Sequence, residues 1–97
     1  RVFGLGFGKA PRSPQKLALD RHTDRRDVTV RWEPVKGAQG YNVLWGVAPD
    51  KLYSSWMVYG GNELEMKSLT IDQDYYFAVE AFNENGVSLP SETKYVE

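Results

Sequence analysis

The sequence predicts an all-β protein, a two-sheet sandwich of seven short strands. Three observations carry this. From Gln15 onward apolar and polar residues alternate with period two. Clusters of Gly, Pro, Asn and Asp interrupt that alternation about every 8–12 residues. No amphipathic run of helical period extends beyond about two turns. With 97 residues, 41% hydrophobic and 26% charged, the chain has material for one domain with one real core. Its 13% aromatic content leans toward strands.

Before the regular pattern comes Arg1–Gly8, RVFGLGFG, in which Phe3, Leu5 and Phe7 alternate with Gly4, Gly6 and Gly8. A phosphate-binding loop would need a strand before these glycines and a helix after them, and Pro11 and Pro14 deny the helix. The stretch reads instead as an extended edge segment whose apolar side needs a partner. Lys9–Pro14 reads as a linker, with the regular strand pattern following it.

The strands follow in order. Leu17 and Leu19 alternate with Lys16, Ala18 and Asp20 in a half-buried first strand. After the charged loop Arg21–Asp27, Val28, Val30 and Trp32 alternate with Thr29, Arg31 and Glu33, and Pro34 stops the second. Tyr41, Val43 and Trp45 define the third, which ends at Gly46. Ala48-Pro49-Asp50 is turn chemistry. Leu52–Tyr59 is a fourth strand with aromatics on both parities, and Gly60-Gly61-Asn62 reads as a hairpin turn. Leu64 and Met66 mark a short fifth strand. In the stretch Leu69–Phe82, residues Leu69, Ile71, Tyr75, Phe77, Val79 and Ala81 share one parity, with a sixth strand over Asp74–Phe82. A tyrosine opening a strand below a turn is the sequence form of a tyrosine corner, so the Tyr75 hydroxyl is expected to bond backbone in the Leu69–Asp72 turn. After Asn83–Gly86, the last strand Val87–Val96 is interrupted by Pro90 and fits an edge position.

Charge and composition exclude several functions. A net charge of −1 and a pI of about 5.8 give no broad attraction to nucleic acid or an anionic membrane. The longest apolar runs fall far short of the roughly 20 residues that span a bilayer. Without cysteine there is no disulfide, thiolate metal site or thiol nucleophile. The chain opens on Arg1 with neither initiator Met nor apolar h-region, the start expected of a fragment of a longer polypeptide. Of the 13 acids, those that can be placed fall on outward parities (Glu33, Glu63, Glu65) or in turns (Asp24, Asp50, Asp72, Glu84), where solvation accounts for them better than paired acid–base catalysis. His22, the single histidine, has no second ligand beside it, so no metal site is expected. No catalytic residue and no cofactor is expected of this domain by itself.

The residues from Pro14 to about Tyr95 resemble a fibronectin type III domain, an immunoglobulin-like β-sandwich. The resemblance rests on Val-x-Val-x-Trp32 followed by Pro34, on Gly40-Tyr41-x-Val43, and on Leu69 with Tyr75-x-Phe77-x-Val79-x-Ala81-x-Asn83, then Gly86 and Pro90-Ser91. Ile71 and Gln73 depart from the proline and threonine common in the family. This fold hosts many functions, so it names none. A second resemblance, carried by GYNVLWGVAPDKLYSSWMVY and YYFAVEAFNENGVS, is to the C-terminal accessory module of bacterial glycoside hydrolases of the family 43 β-xylosidase or arabinofuranosidase type. It implies a secreted parent, extracellular or periplasmic, with a neighbouring catalytic or β-sandwich module as partner and polysaccharide as a further candidate, and it makes residues 1–13 the tail strand of a preceding module plus linker and residues 14–97 the domain. The turn NENG occupies the place of an integrin-binding tripeptide in adhesive domains and does not contain one.

Trp32, Tyr41, Leu69, Tyr75, Phe77 and Val79 are expected in the core. Leu44, Tyr76, Ala78 and Phe82 fall on the opposite parity of neighbouring strands, and Trp56 is expected to join them. An outward apolar patch of this kind marks a contact surface. Docking of a neighbouring module, shielding by the fourth-strand region and stacking on sugar rings are the three readings of it, with docking preferred.

Overall fold

The alternating stretches become strands, and the computed structural model, which describes residues 10–97, sorts them into two sheets. In chain order they are β1 (Ala18–Arg21), β2 (Val28–Arg31), β3 (Gly40–Gly46), β4 (Ser54–Tyr59), β5 (Glu63–Met66), β6 (Tyr75–Asn83), β7 (Gly86–Val87) and β8 (Lys94–Val96). One sheet has the order β1-β2-β5. The other runs β4-β3-β6-β7, with β8 also on β6, and every pairing is antiparallel.

Register follows the hydrophobic pattern, because a slip of one residue would turn each strand's apolar set to solvent. Leu19, Val30 and Leu64 lie side by side across the first sheet, as Tyr41, Val43 and Trp45 lie against Ala81, Val79 and Phe77 across the second. These inner faces close on a core of Leu17, Val28, Val30, Trp32, Tyr41, Val43, Met66, Leu69, Tyr75, Phe77, Val79 and Ala81. It contains all six residues named above as core. Trp32 meets Tyr41 edge-on, ring centroids 5.1 Å apart, a geometry aromatic pairs favour. Ile71 shares the parity of Leu69 but sits in the turn, where it is exposed.

Two tyrosine hydroxyls tie loops to this core. The Thr70 amide donates to the Tyr75 hydroxyl at 2.8 Å, completing the tyrosine corner, and the Val35 amide donates to the Tyr41 hydroxyl at 2.8 Å. Arg21 clamps the corner from the opposite sheet. Its guanidinium donates to the carbonyls of Thr70 and Gln73 and lies 5.4 Å from the centroid of the Tyr75 ring. Tyr75→Phe is expected to lower unfolding stability by about 1 kcal/mol, the net worth of one such bond. A urea midpoint equal to that of the wild type would show that the corner contributes nothing.

Two expectations need correction. Gly60-Gly61-Asn62 is not a hairpin turn: β5 pairs with β2 rather than β4, so this segment carries the chain from one sheet to the other. Asn62 makes the transfer by accepting the Trp32 amide on its carbonyl and donating its side-chain amide to the Trp32 carbonyl. The count is also eight strands rather than seven, because the interruption expected at Pro90 splits the last strand into β7 and β8. Pro90 lacks the donor a ladder needs, and residues 88–93 leave regular pairing between β7 and β8. Ser88 and Ser91 nevertheless hold that segment to β6. Their amides donate to the Ala81 and Val79 carbonyls, and their hydroxyls accept from the Ala81 and Val79 amides. The tail strand expected over Arg1–Gly8 lies outside the described residues.

Candidate functional site

Directly opposed residues in a ladder point to the same side, so the pairings fix the outer face of the five-stranded sheet. It comprises Ser55, Met57 and Tyr59 on β4, Asn42 and Leu44 on β3, Tyr76, Ala78, Glu80 and Phe82 on β6, Val87 on β7 and Tyr95 on β8. Leu44, Tyr76 and Phe82 therefore do share a face. Trp56 does not: it stands opposite Val43, on the core-facing side of β4, and is 57% exposed there. The parity of β4 is set by its pairing with β3, which its own sequence, apolar on both sides, does not reveal.

The face is built as two aromatic ends around a polar middle. At one end the Phe82 ring lies across Gly40, where a Cβ would come within 2.6 Å of its Cζ, and meets Tyr59 edge-on at 5.6 Å. Glycine is required at position 40 for this approach. At the other end Tyr76 packs against Tyr95 with ring centroids 5.3 Å apart. Between them Asn42 donates to the Glu80 carboxylate at 3.0 Å. Leu44, Tyr76 and Phe82 are only half-buried and Ala78 is fully buried, while Met57, Tyr59, Val87 and Tyr95 stand exposed. The exposed members were not picked out by sequence reasoning. Met57 and Tyr59 share a parity with each other and lie on the opposite one from Trp56, a signal hidden behind the larger indole.

The rest of the surface offers little chemistry. The Tyr95 hydroxyl donates to Asp74 at 2.9 Å and also reaches Glu97, and these carboxylates push its pKa up to about 12. Asp24 is held below the usual carboxylate range by its hydrogen bonds from Arg26. His22 spends Nε2 on the Thr29 hydroxyl at 2.6 Å, and no group of three metal-ligating side chains occurs among the described residues. A shallow concavity of about 270 Å³ borders the outer face beside Met57, Phe82 and the Asn83–Val87 turn. No helix among the described residues is long and apolar enough to cross a membrane.

Residues 10 and 97 lie near opposite ends of β6. Ala10 lies beside Gly86 at the β6–β7 turn, whereas Glu97 accepts a bond from Arg25 near the start of β6.

Comparison with known proteins agrees with this architecture. Neogenin of Rattus norvegicus is 28% identical over 101 residues, covering 94% of this chain and 7% of neogenin, and neogenin of Mus musculus matches equally. The chain thus spans a small fraction of the length of these relatives. Among solved structures, the FN1–FN3 domains of chicken CNTN1 superpose with a TM-score of 0.78 at 25% identity, covering 90% of this chain and 32% of that one. An Fn3-like protein from Clostridium thermocellum gives 0.82 at 19% identity, covering 92% and 94%, a likeness of fold alone. None of these names refers to a glycoside hydrolase. The model of the fibronectin type III domain matches residues 12–97, from the linker to the last residue, and the chain belongs to that family.

Proposed function

We propose that the domain is a non-catalytic structural module whose outer face, around Leu44, Tyr76 and Phe82, docks a neighbouring module of the same polypeptide. The observation that carries this is the apolar face itself: Met57, Tyr59, Val87 and Tyr95 exposed around a half-buried aromatic layer. In its finer form the proposal makes the neighbour the catalytic or β-sandwich module of a secreted bacterial glycoside hydrolase, with the domain outside the cytoplasm. That form rests on the sequence resemblance alone. The animal relatives support the broader reading of an adhesion or structural module.

Tyr76→Ser with Phe82→Ser tests the docking. The isolated domain is expected to stay folded, losing about 1–3 kcal/mol for two half-buried rings. In the parent protein the linker is expected to be cleaved faster by a trace protease. An unchanged cleavage rate would sink the proposal, and an unfolded isolated domain would assign both rings to its own core. Polysaccharide stacking is the weaker reading, because the ring pairs meet at 86° and 48° and offer no coplanar platform. Calorimetry against xylan and arabinan with no heat would remove it.

A further inference from the structure

Trp56, which the outer face does not include, points to a different surface. The two sheets present four edges, and three of them carry features that discourage pairing with another chain. β1 has Asp20 and Arg21, β5 has Glu63 and Glu65, and the β7–β8 side consists of two short pieces with Pro90 between them and Lys94 beyond. The fourth edge, β4, has none of these. From Leu52 to Asn62 there is neither a charge nor a proline. Along this edge Trp56 on one side and Met57 and Tyr59 on the other are each more than half exposed. Among the described residues no strand pairs with the outer side of β4, and every second residue of such an edge directs its backbone donor and acceptor outward.

We propose that β4 is a homotypic pairing edge, its partner the β4 of a second copy of this chain, joined antiparallel into one continuous ten-stranded sheet. The occupant is chosen by self-complementarity. No like charges meet along the paired segment, and the Lys51 end of each copy falls at the end of the other that leads to Glu63. A twofold axis normal to the sheet keeps both outer faces on the same side, and opposed residues must share a side. Trp56 therefore cannot stand opposite Met57, and the axis falls on a residue rather than between two; we place it on Met57, the middle of the uncharged, exposed stretch. With Met57 on the axis, Tyr59 lies over Ser55 and Trp56 beside Val58 of the other copy, bulky against small. This covers the indole on the core-facing side and joins the two outer faces through Met57 and Tyr59. The pairing is made by the β4 backbone edge; it shares Met57 and Tyr59 with the docking face but uses neither Tyr76 nor Phe82.

Because the chain has no cysteine, the register can be read chemically. Met57→Cys would bring its two copies within disulfide reach, whereas the two copies of Ser55→Cys would stand about 13 Å apart. Sedimentation equilibrium should show a reversible dimer at protein concentrations up to about 1 mM, with Met57→Lys raising its dissociation constant at least tenfold. Under mild oxidation Met57→Cys should cross-link at least about tenfold faster than Ser55→Cys. Circular dichroism confirms that each variant is folded before it is compared, and Tyr76→Ser, on the outer face away from the edge, should leave the dimer unchanged. A wild-type chain monomeric throughout that range overturns the proposal, as do equal cross-linking rates or a dimer indifferent to Met57→Lys.

Discussion

Phe77→Ala is expected to lower the unfolding free energy by about 3–5 kcal/mol, the range for removing a buried aromatic side chain. Phe77 has no exposed surface and is the largest of the fully buried side chains. It stands in the middle of the inner parity of β6, opposite Trp45 on one side and Lys94 on the other, so the first sheet above it must collapse for the void to close. A domain of this size holds about 5–15 kcal/mol in total, and the substitution removes a large share of it. Urea denaturation followed by tryptophan fluorescence measures the loss. A loss below about 1 kcal/mol would mean that the two sheets are loosely packed here, contrary to the complete burial of Val28, Val30, Val43 and Val79 around it.

That core was legible in the sequence because burial and period two coincide. On β2 one parity is apolar and the other polar, and on β3 and β6 the inner parity is apolar throughout while the outer one carries Asn42 and Glu80, which favours a single register. Trp32, Tyr41, Leu69, Tyr75, Phe77 and Val79 could be named on that ground, and the hydroxyl bond of Tyr75 followed from the turn above it. Legibility failed where the contrast between parities vanished. Leu52–Tyr59 is apolar on both sides, so only its pairing with β3 decides that Trp56 points with Val43 and that Met57 and Tyr59 point with Leu44. The Gly60–Asn62 segment has hairpin chemistry, yet Asn62 binds the backbone of Trp32 and the chain changes sheets. That choice depends on a residue 30 positions away, and no local pattern encodes it.

The outer face shows the same division between local and distant information. Leu44, Tyr76 and Phe82 were readable as a face from strand parity alone. Their partial cover was not, because Tyr59 and Tyr95 arrive from strands whose positions are set by tertiary pairing. Each exposed ring rests on a half-buried one, so the inner ring is fixed and the outer ring is available. Rigid apolar layers of this sort suit a docking contact better than scattered single side chains do, since little side-chain entropy remains to be lost on association.

Ser88→Ala with Ser91→Ala is expected to cost about 1–3 kcal/mol for each hydroxyl, the penalty for stranding a buried backbone donor. In regular pairing a carbonyl would receive the Ala81 and Val79 amides. Here the serine hydroxyls accept both, at 2.8 Å, and pass their own protons to the carbonyls of Leu89 and Glu92. Both serines are buried, and their targets Val79 and Ala81 have no exposed surface, so water cannot replace a missing hydroxyl without opening the edge. The two bonds involve different amides and no shared partner, so the single substitutions should add to within about 0.5 kcal/mol. The loss should also be local before it is global. Amide hydrogen exchange at Val79 and Ala81 should accelerate in the double variant by more than at Val28 or Val30 in the other sheet, because the segment from Ser88 to Ser91 detaches first. Equal acceleration at all four amides would show that the serine hydroxyls contribute only to overall stability and do not anchor the interrupted last strand to β6.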